Sequence, residues 1–147
     1  MTLWRRFAHL TLPEKRLLIR IAFLVLAVRV LLWTIPWPAV LGPLRALAAM
    51  RWLGFASRLS TDRLVWAVQA VSRRIPRATC LTQSFALQCA LTAAGRPSAV
   101  EIGVRKEAGF PVQAHAWIEL GGATLLTTAA EAARYSRMVT LPARPPR

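Results

Sequence analysis

Cys80 and His115 are the residues of this 147-residue chain whose types can combine into a reaction. A thiolate is a strong nucleophile, and an imidazole can take the thiol proton near neutral pH. Cys80 follows Pro76-Arg77-Ala78-Thr79 and opens an apolar helical run, Leu81 to about Ala94. At a helix start the unpaired N–H groups and the dipole favour thiolate over thiol. Arg73, Arg74 and Arg77 add positive charge nearby. The backbone N–H of Cys80 is the natural donor to an oxyanion, whereas Gln83, one turn on, suits the helix surface. Cys89 lies among Leu87, Ala90 and Leu91 and reads as core filler. His115 lies where Gln113, His115, Trp117 and Glu119 alternate with Ala114, Ala116 and Ile118, a strand pattern. Trp117 is expected to pack in the core. The other histidine, His9, belongs to the N-terminal part.

The elements that must position this pair fall into two parts. Residues 1–56 are apolar, Arg-rich and helical, with Trp4, Trp33, Trp37 and Trp52. Thr11 suits a helix cap before Pro13 and Glu14, and Leu44–Leu53 suits a second short helix. Residues 57–141 carry the chemistry. Ser60 or Thr61 caps a helix with Leu64, Val65, Val68 and Val71 on its apolar side, and Pro76 closes it. The Cys-bearing helix follows and stops at Gly95. The period then changes to two: Val100, Ile102 and Val104 alternate with Glu101, Gly103 and Arg105. After the His115 strand, Gly121-Gly122 marks a hairpin, with Ala123–Thr128 as the return strand. The expected class is α+β, a helix packed on a small antiparallel meander and preceded by apolar helices. Residues 142–147 are expected to fray.

Composition excludes several classes. Hydrophobic residues make up 55% of the chain, so it can bury a core. Two cysteines give no disulfide framework, and no Cys–His grouping has metal spacing. No cofactor or metal is expected. The net charge is +14, and 18 of the 20 cations are Arg. An excess of this size suits an anionic partner or reflects a genome that favours Arg codons. Nucleic acid is not the expected partner, because the Arg are dispersed and no stacking-aromatic strand motif occurs. Arg20 and Arg29 bracket only eight apolar residues, and Pro36, Pro38 and Pro43 follow. That pattern suits a buried or amphipathic helix better than a membrane span, and peripheral contact of residues 17–41 with lipid stays open.

A cysteine at a helix start facing a histidine on an antiparallel strand resembles the papain-like arrangement. More specific are the blocks Ile75-Pro76-Arg77-Ala78-Thr79-Cys80-Leu81, Gln83-Ser84-Phe85-Ala86-Leu87, Gly95-Arg96-Pro97, Ile102-Gly103-Val104-Arg105 and Ala114-His115-Ala116-Trp117-Ile118-Glu119 with Gly121-Gly122. In this order they resemble the leader peptidase of lasso-peptide biosynthesis, the stand-alone B-type maturation protein with a transglutaminase-like core. The resemblance covers about Ser60 to Val139.

It implies a cytoplasmic bacterial cysteine protease that cuts the leader from a ribosomally made precursor peptide. A small leader-binding protein would present the precursor, and a separate ATP-using lasso cyclase would follow. By position, Cys80 matches the nucleophile and His115 the general base. The family pattern places an Asp on the strand after the His, but the only Asp here is Asp62, before Cys80. Glu119 shares the strand face of His115 but is poorly placed to reach its ring, and Glu131 is the next acid. Thr127 or a backbone carbonyl is therefore the expected orienter of the imidazole. Two alternatives remain: a membrane-associated, non-catalytic scaffold of the same fold, and another thiol acyl-transfer enzyme.

Overall fold

The computed structural model describes residues 8–143; Trp4 and residues 144–147 of the expected tail lie outside the described residues. Helix α1 spans Leu12–Thr34. Thr11 Oγ1 accepts from Glu14 N–H (3.4 Å), and the Thr11 backbone N–H donates to Glu14 Oε2 (2.9 Å), so two free N–H groups are satisfied reciprocally. The helix ends at Thr34 because Ile35 precedes Pro36 and is extended (φ −113°, ψ 124°). Helix α2 spans Leu41–Ala48, and a 3-10 helix follows over Arg51–Arg58. The single helix expected over Leu44–Leu53 is thus two pieces. They part where Met50 turns extended (φ −68°, ψ 132°), and Leu53 and Ala56 are buried beyond that turn.

Helix α3, Thr61–Ser72, is capped by Ser60, whose Oγ accepts from Arg63 N–H (3.3 Å). Helix α4, Cys80–Ala93, is capped by Thr79, whose Oγ1 accepts from Thr82 N–H (3.3 Å). The Arg96 guanidinium donates to the carbonyl of Leu59 and to Thr61 Oγ1, tying the end of α4 to the start of α3.

One core joins the parts. Leu17, Ile21, Leu24, Val25 and Val28 of α1 meet Leu64 and Val68 of α3, Phe85, Leu87 and Leu91 of α4, and Val100 and Ile118 of the sheet. Residues on both sides of position 56 contribute to it.

The sheet has strands β1 (Ala99–Arg105), β2 (Gln113–Leu120), β3 (Ala123–Leu125) and β4 (Ser136–Pro142) in the order β3-β2-β1-β4, all antiparallel. The α+β expectation holds, with α1–α4 packed on one sheet face. Two differences concern the sheet. The return strand stops at Leu125, not Thr128, because Leu126 adopts φ 71°, outside any strand geometry. The chain then forms a short helix α5, Ala129–Ala132, and crosses the sheet to add β4 beside β1. Pro142, expected in the frayed tail, is paired with Ala99, and Ala143 N–H donates to Ser98 O (2.8 Å).

Alternation divides the sheet into two faces. Val100, Ile102, Ile118, Leu120 and Leu141 face the helical core. Glu101, Gly103, His115, Trp117 and Glu119 face the other way, under the β3–β4 crossover. There Tyr135 descends on Gly103 so closely that a Cβ at Gly103 would lie 2.8 Å from Tyr135 Cβ and 2.9 Å from Trp117 Cη2. Neither the Tyr135 Cβ nor the buried indole can swing aside. Gly103→Ala is therefore expected to destabilise the fold by about 1–3 kcal/mol, the usual cost of overpacking. A denaturant melt checks this; an unchanged midpoint would mean that the crossover is not seated on β1.

Candidate active site

Cys80 is the first residue of α4 and is half-buried. Three features put a helix start there: Pro76, the reversal at Arg77 (φ 61°), and the Thr79 cap. Gln83 Nε2 reaches back to Ala78 O (3.5 Å), so this side chain braces the approach to the helix. Cys89 differs in every respect. It is 3% exposed, and its thiol points at Leu44 O (3.6 Å).

Helix α4 packs against β1 and β2. Midway along it, Gln88 Nε2 donates to Leu141 O (2.8 Å) and Ser98 O (3.4 Å), fixing that point beside the Ala99 end of β1. Cys80 lies roughly 12 Å further back along the axis, at 1.5 Å per residue. On β1, Gly103 pairs with His115 and Arg105 with Gln113, and His115 projects from the sheet face opposite the one that α4 packs on.

Among the described residues no hydrogen bond joins the thiol to the imidazole. The ring is on the crossover face. Its neighbours are Tyr135, with ring centroids 5.3 Å apart, and Trp117, at 6.1 Å and stacked. Trp117 is fully buried, and its Nε1 donates to Glu119 Oε1 (3.0 Å). The Arg105 guanidinium lies 5.1 Å from the Tyr135 ring centroid, continuing the stack outward.

Thr127, expected to orient His115, lies in the bend beyond β3, half-buried and without a hydrogen bond to the ring. The cause is the early end of β3, which takes Thr127 out of the register facing β2. Thr128 instead caps α5 by accepting from Glu131 N–H (3.1 Å). Glu131 pairs with Arg134 (3.2 Å), and Glu119 accepts from Trp117, Thr124 and Arg137. Asp62 is in the first turn of α3. Tyr135, the sole tyrosine of the chain, was not singled out from the sequence, because nothing there signals that the chain crosses back over the sheet.

A groove of about 480 Å³ borders the residues either side of Cys80. Thr79, Leu81 and Arg77 line it together with Arg29, Ile35 and Trp37, so the N-terminal helical part meets the start of α4 there.

Burial pushes the Cys89 thiol from an ordinary 9.0 up to about 12. Between those values the native chain keeps a proton that the unfolded chain loses. Stability therefore falls as pH rises through that window, by at most about 1.4 kcal/mol per pH unit. Cys89→Ala removes this slope. The variant is expected to be less stable than the parent at about pH 8, with the gap narrowing by about pH 10.5. Melts at both pH values check it, and a constant gap would mean that Cys89 is not buried as a thiol.

The sequence profile of the transglutaminase-like superfamily matches residues 22–140. No match was found among curated proteins or among solved structures. The matched span runs from within α1 into β4 and includes Cys80, His115 and Tyr135. Its fold and its helix-start cysteine are consistent with cysteine protease or acyl-transfer chemistry, and the chain belongs to the transglutaminase-like superfamily.

Proposed function

We propose that the protein is a cysteine peptidase that removes the leader from a lasso-peptide precursor in the cytoplasm. In this reading a small leader-binding protein presents the precursor, and the freed core passes to a separate lasso cyclase. The observation that carries the reading is Cys80 as the first residue of a helix packed on the strand of His115, within the superfamily match. The specific substrate is supported by the sequence blocks around both residues, which resemble the leader peptidases of that pathway.

The chemistry proceeds by acyl transfer through sulfur. His115 takes the proton of Cys80, and Sγ attacks the scissile carbonyl carbon. The oxyanion is held by the backbone N–H of Cys80, one of the N–H groups without an intrahelical partner at the start of α4. The C–N bond then breaks, the leaving amine takes the proton from the imidazolium, and the leader remains as a thioester. His115 next takes a proton from water, hydroxide adds to the thioester, and Cys80 leaves protonated. His115 is on the sheet face opposite the one that α4 packs on, so in this reading the imidazole must turn toward Cys80 when substrate binds. In place of a carboxylate, the imidazole packs against the Tyr135 and Trp117 rings, whose own centroids are 6.3 Å apart.

Cys80→Ala is expected to abolish leader cleavage, and Cys89→Ala to keep most of it. The assay uses precursor plus leader-binding partner. Full activity of Cys80→Ala sinks the peptidase reading and favours a non-catalytic scaffold. Transfer of the leader to an added amine, with no hydrolysis, would indicate another acyl-transfer enzyme.

His115→Ala is expected to lose about 10²–10⁴-fold, the usual span for a general base. Tyr135→Phe is expected to stay within roughly tenfold of the parent, about 1.4 kcal/mol of barrier, because it keeps the ring packed against the imidazole. Tyr135→Ala should fall well below that when compared per folded molecule, with the melting temperature measured beside it to account for the looser crossover. Equal activity of all three tyrosine forms would remove Tyr135 from the positioning of His115.

A further inference from the structure

Helix α1 is apolar on both of its sides, and only one side is used by the core. Leu17, Leu18, Ile21, Leu24, Val25 and Val28 are buried. On the other side Ile19, Phe23, Leu26, Val30 and Trp33 recur at steps of four and three and are exposed, Phe23 at 65% and Trp33 at 79%. A groove of about 600 Å³ extends this face over Pro43, Ala46 and Met50 of the α2 region, and exposed Trp52 donates its Nε1 to Met50 Sδ (3.3 Å). The surroundings are cationic. Arg16, Arg20, Arg45, Arg51 and Arg58 are exposed, and the Arg20 guanidinium lies 5.1 Å from the Phe55 ring centroid. The one carboxylate between residues 8 and 58, Glu14, is bridged to Arg63 at 3.3 Å.

We propose that the α1–α2 face is a lipid-binding surface on which the protein docks, without spanning, to an anionic bilayer. The inference goes beyond the peptidase reading and does not depend on it.

Three arguments select this occupant. The helix is long and apolar enough to cross a bilayer, but spanning would pull six core side chains away from α3 and α4. Lying flat leaves them in place and presents about 21 Å of apolar stripe, Ile19 to Trp33, to the acyl boundary. The exposed tryptophans Trp33, Trp37 and Trp52 and the arginines suit the headgroup level, where amphipathic rings and cations meet anionic phosphates. Lastly, the stripe supplies almost no hydrogen-bonding group to set a register. A protein interface normally provides such bonds and a fluid bilayer does not need them. A second copy is disfavoured further, since each would bring a charge of +14 to the contact.

The test is flotation of the full chain with vesicles of phosphatidylcholine, with and without phosphatidylglycerol. Strong flotation with the anionic vesicles is expected, weaker with phosphatidylcholine alone, and weakened again by high salt. Phe23→Glu with Val30→Glu should lower the bound fraction at least tenfold at an unchanged melting temperature, since both side chains are exposed. Arg45→Gln with Arg51→Gln should selectively lower binding to the anionic vesicles. Alkaline carbonate should release the bound protein.

The proposal is overturned by any of four results. One is a parent that stays unbound with both vesicles. Another is a Phe23/Val30 variant that floats like the parent, which would leave charge alone as the attraction. A third is bound protein that resists carbonate, which would mean a span. The last is a dimer in light scattering that Phe23→Glu dissolves, which would assign the face to a second copy.

Discussion

Enclosure of α4 is the constraint on which the rest of the structure depends. This helix touches α1, α2, α3, the 3-10 helix, β1 and β2. Its side chains are correspondingly apolar around most of the circumference, with Phe85, Ala86, Leu87, Ala90 and Leu91 all buried. A helix held on so many sides cannot slide or rotate without opening voids, which close-packed interiors resist. Its first residue is therefore fixed relative to the strands. Cys80 gains a defined position from contacts made by residues one to three turns further on. Cys89, on the same helix, is sealed by those contacts.

The second layer of order is on the opposite sheet face. The β3–β4 crossover must pass over β2 and β1, and it is seated by a small set of contacts. Gly103 leaves room for Tyr135, Trp117 fills the space beneath, and Arg137 of β4 reaches Glu119 (3.4 Å) and Glu101 (3.8 Å). Thr140 Oγ1 also donates to buried Glu101 (2.7 Å). Glu101 thus keeps partners on β4 where burial would otherwise be costly. The same contacts close the rings around His115, so folding of the crossover and placement of the imidazole are one event.

The sequence showed most clearly those features whose signals are local. The caps at Thr11, Ser60 and Thr79, the stop at Gly95 and the two alternating strands all follow from residue types within a few positions. The cysteine at a helix start was legible for that reason, and so was burial of Cys89 and Trp117. Features set by distant partners were not. Strand β4, with Arg137, Met138 and Thr140, has no clean alternation because most of its length is exposed. It forms because β1 offers an unpaired edge. The end of β3 rests on Leu126 at a positive φ, a conformation that leucine rarely takes and local propensity does not foretell. From that point the register of Thr127 was lost, and Tyr135 could not be placed next to His115.

The departure from the family's carboxylate has a structural counterpart. An acid that orients an imidazole must accept from it, and among the described residues no carboxylate does; the nearby ones bond other partners. Glu119 accepts from Trp117, Thr124 and Arg137; Glu101 is held by Thr140 and Arg137; Glu107 bridges Arg105 and Arg134; Glu131 pairs with Arg134. These acids secure the crossover against a strongly cationic chain, where unpaired Arg would repel one another. An aromatic mount for the imidazole is compatible with that allocation. Contact with two rings of one cluster restricts its tilt without drawing on a carboxylate. A cysteine tolerates this better than a serine would, because its thiol ionises far more readily and leans less on a strengthened base. In the proposed reading, the few acids of the chain serve the fold while sulfur and imidazole carry the chemistry.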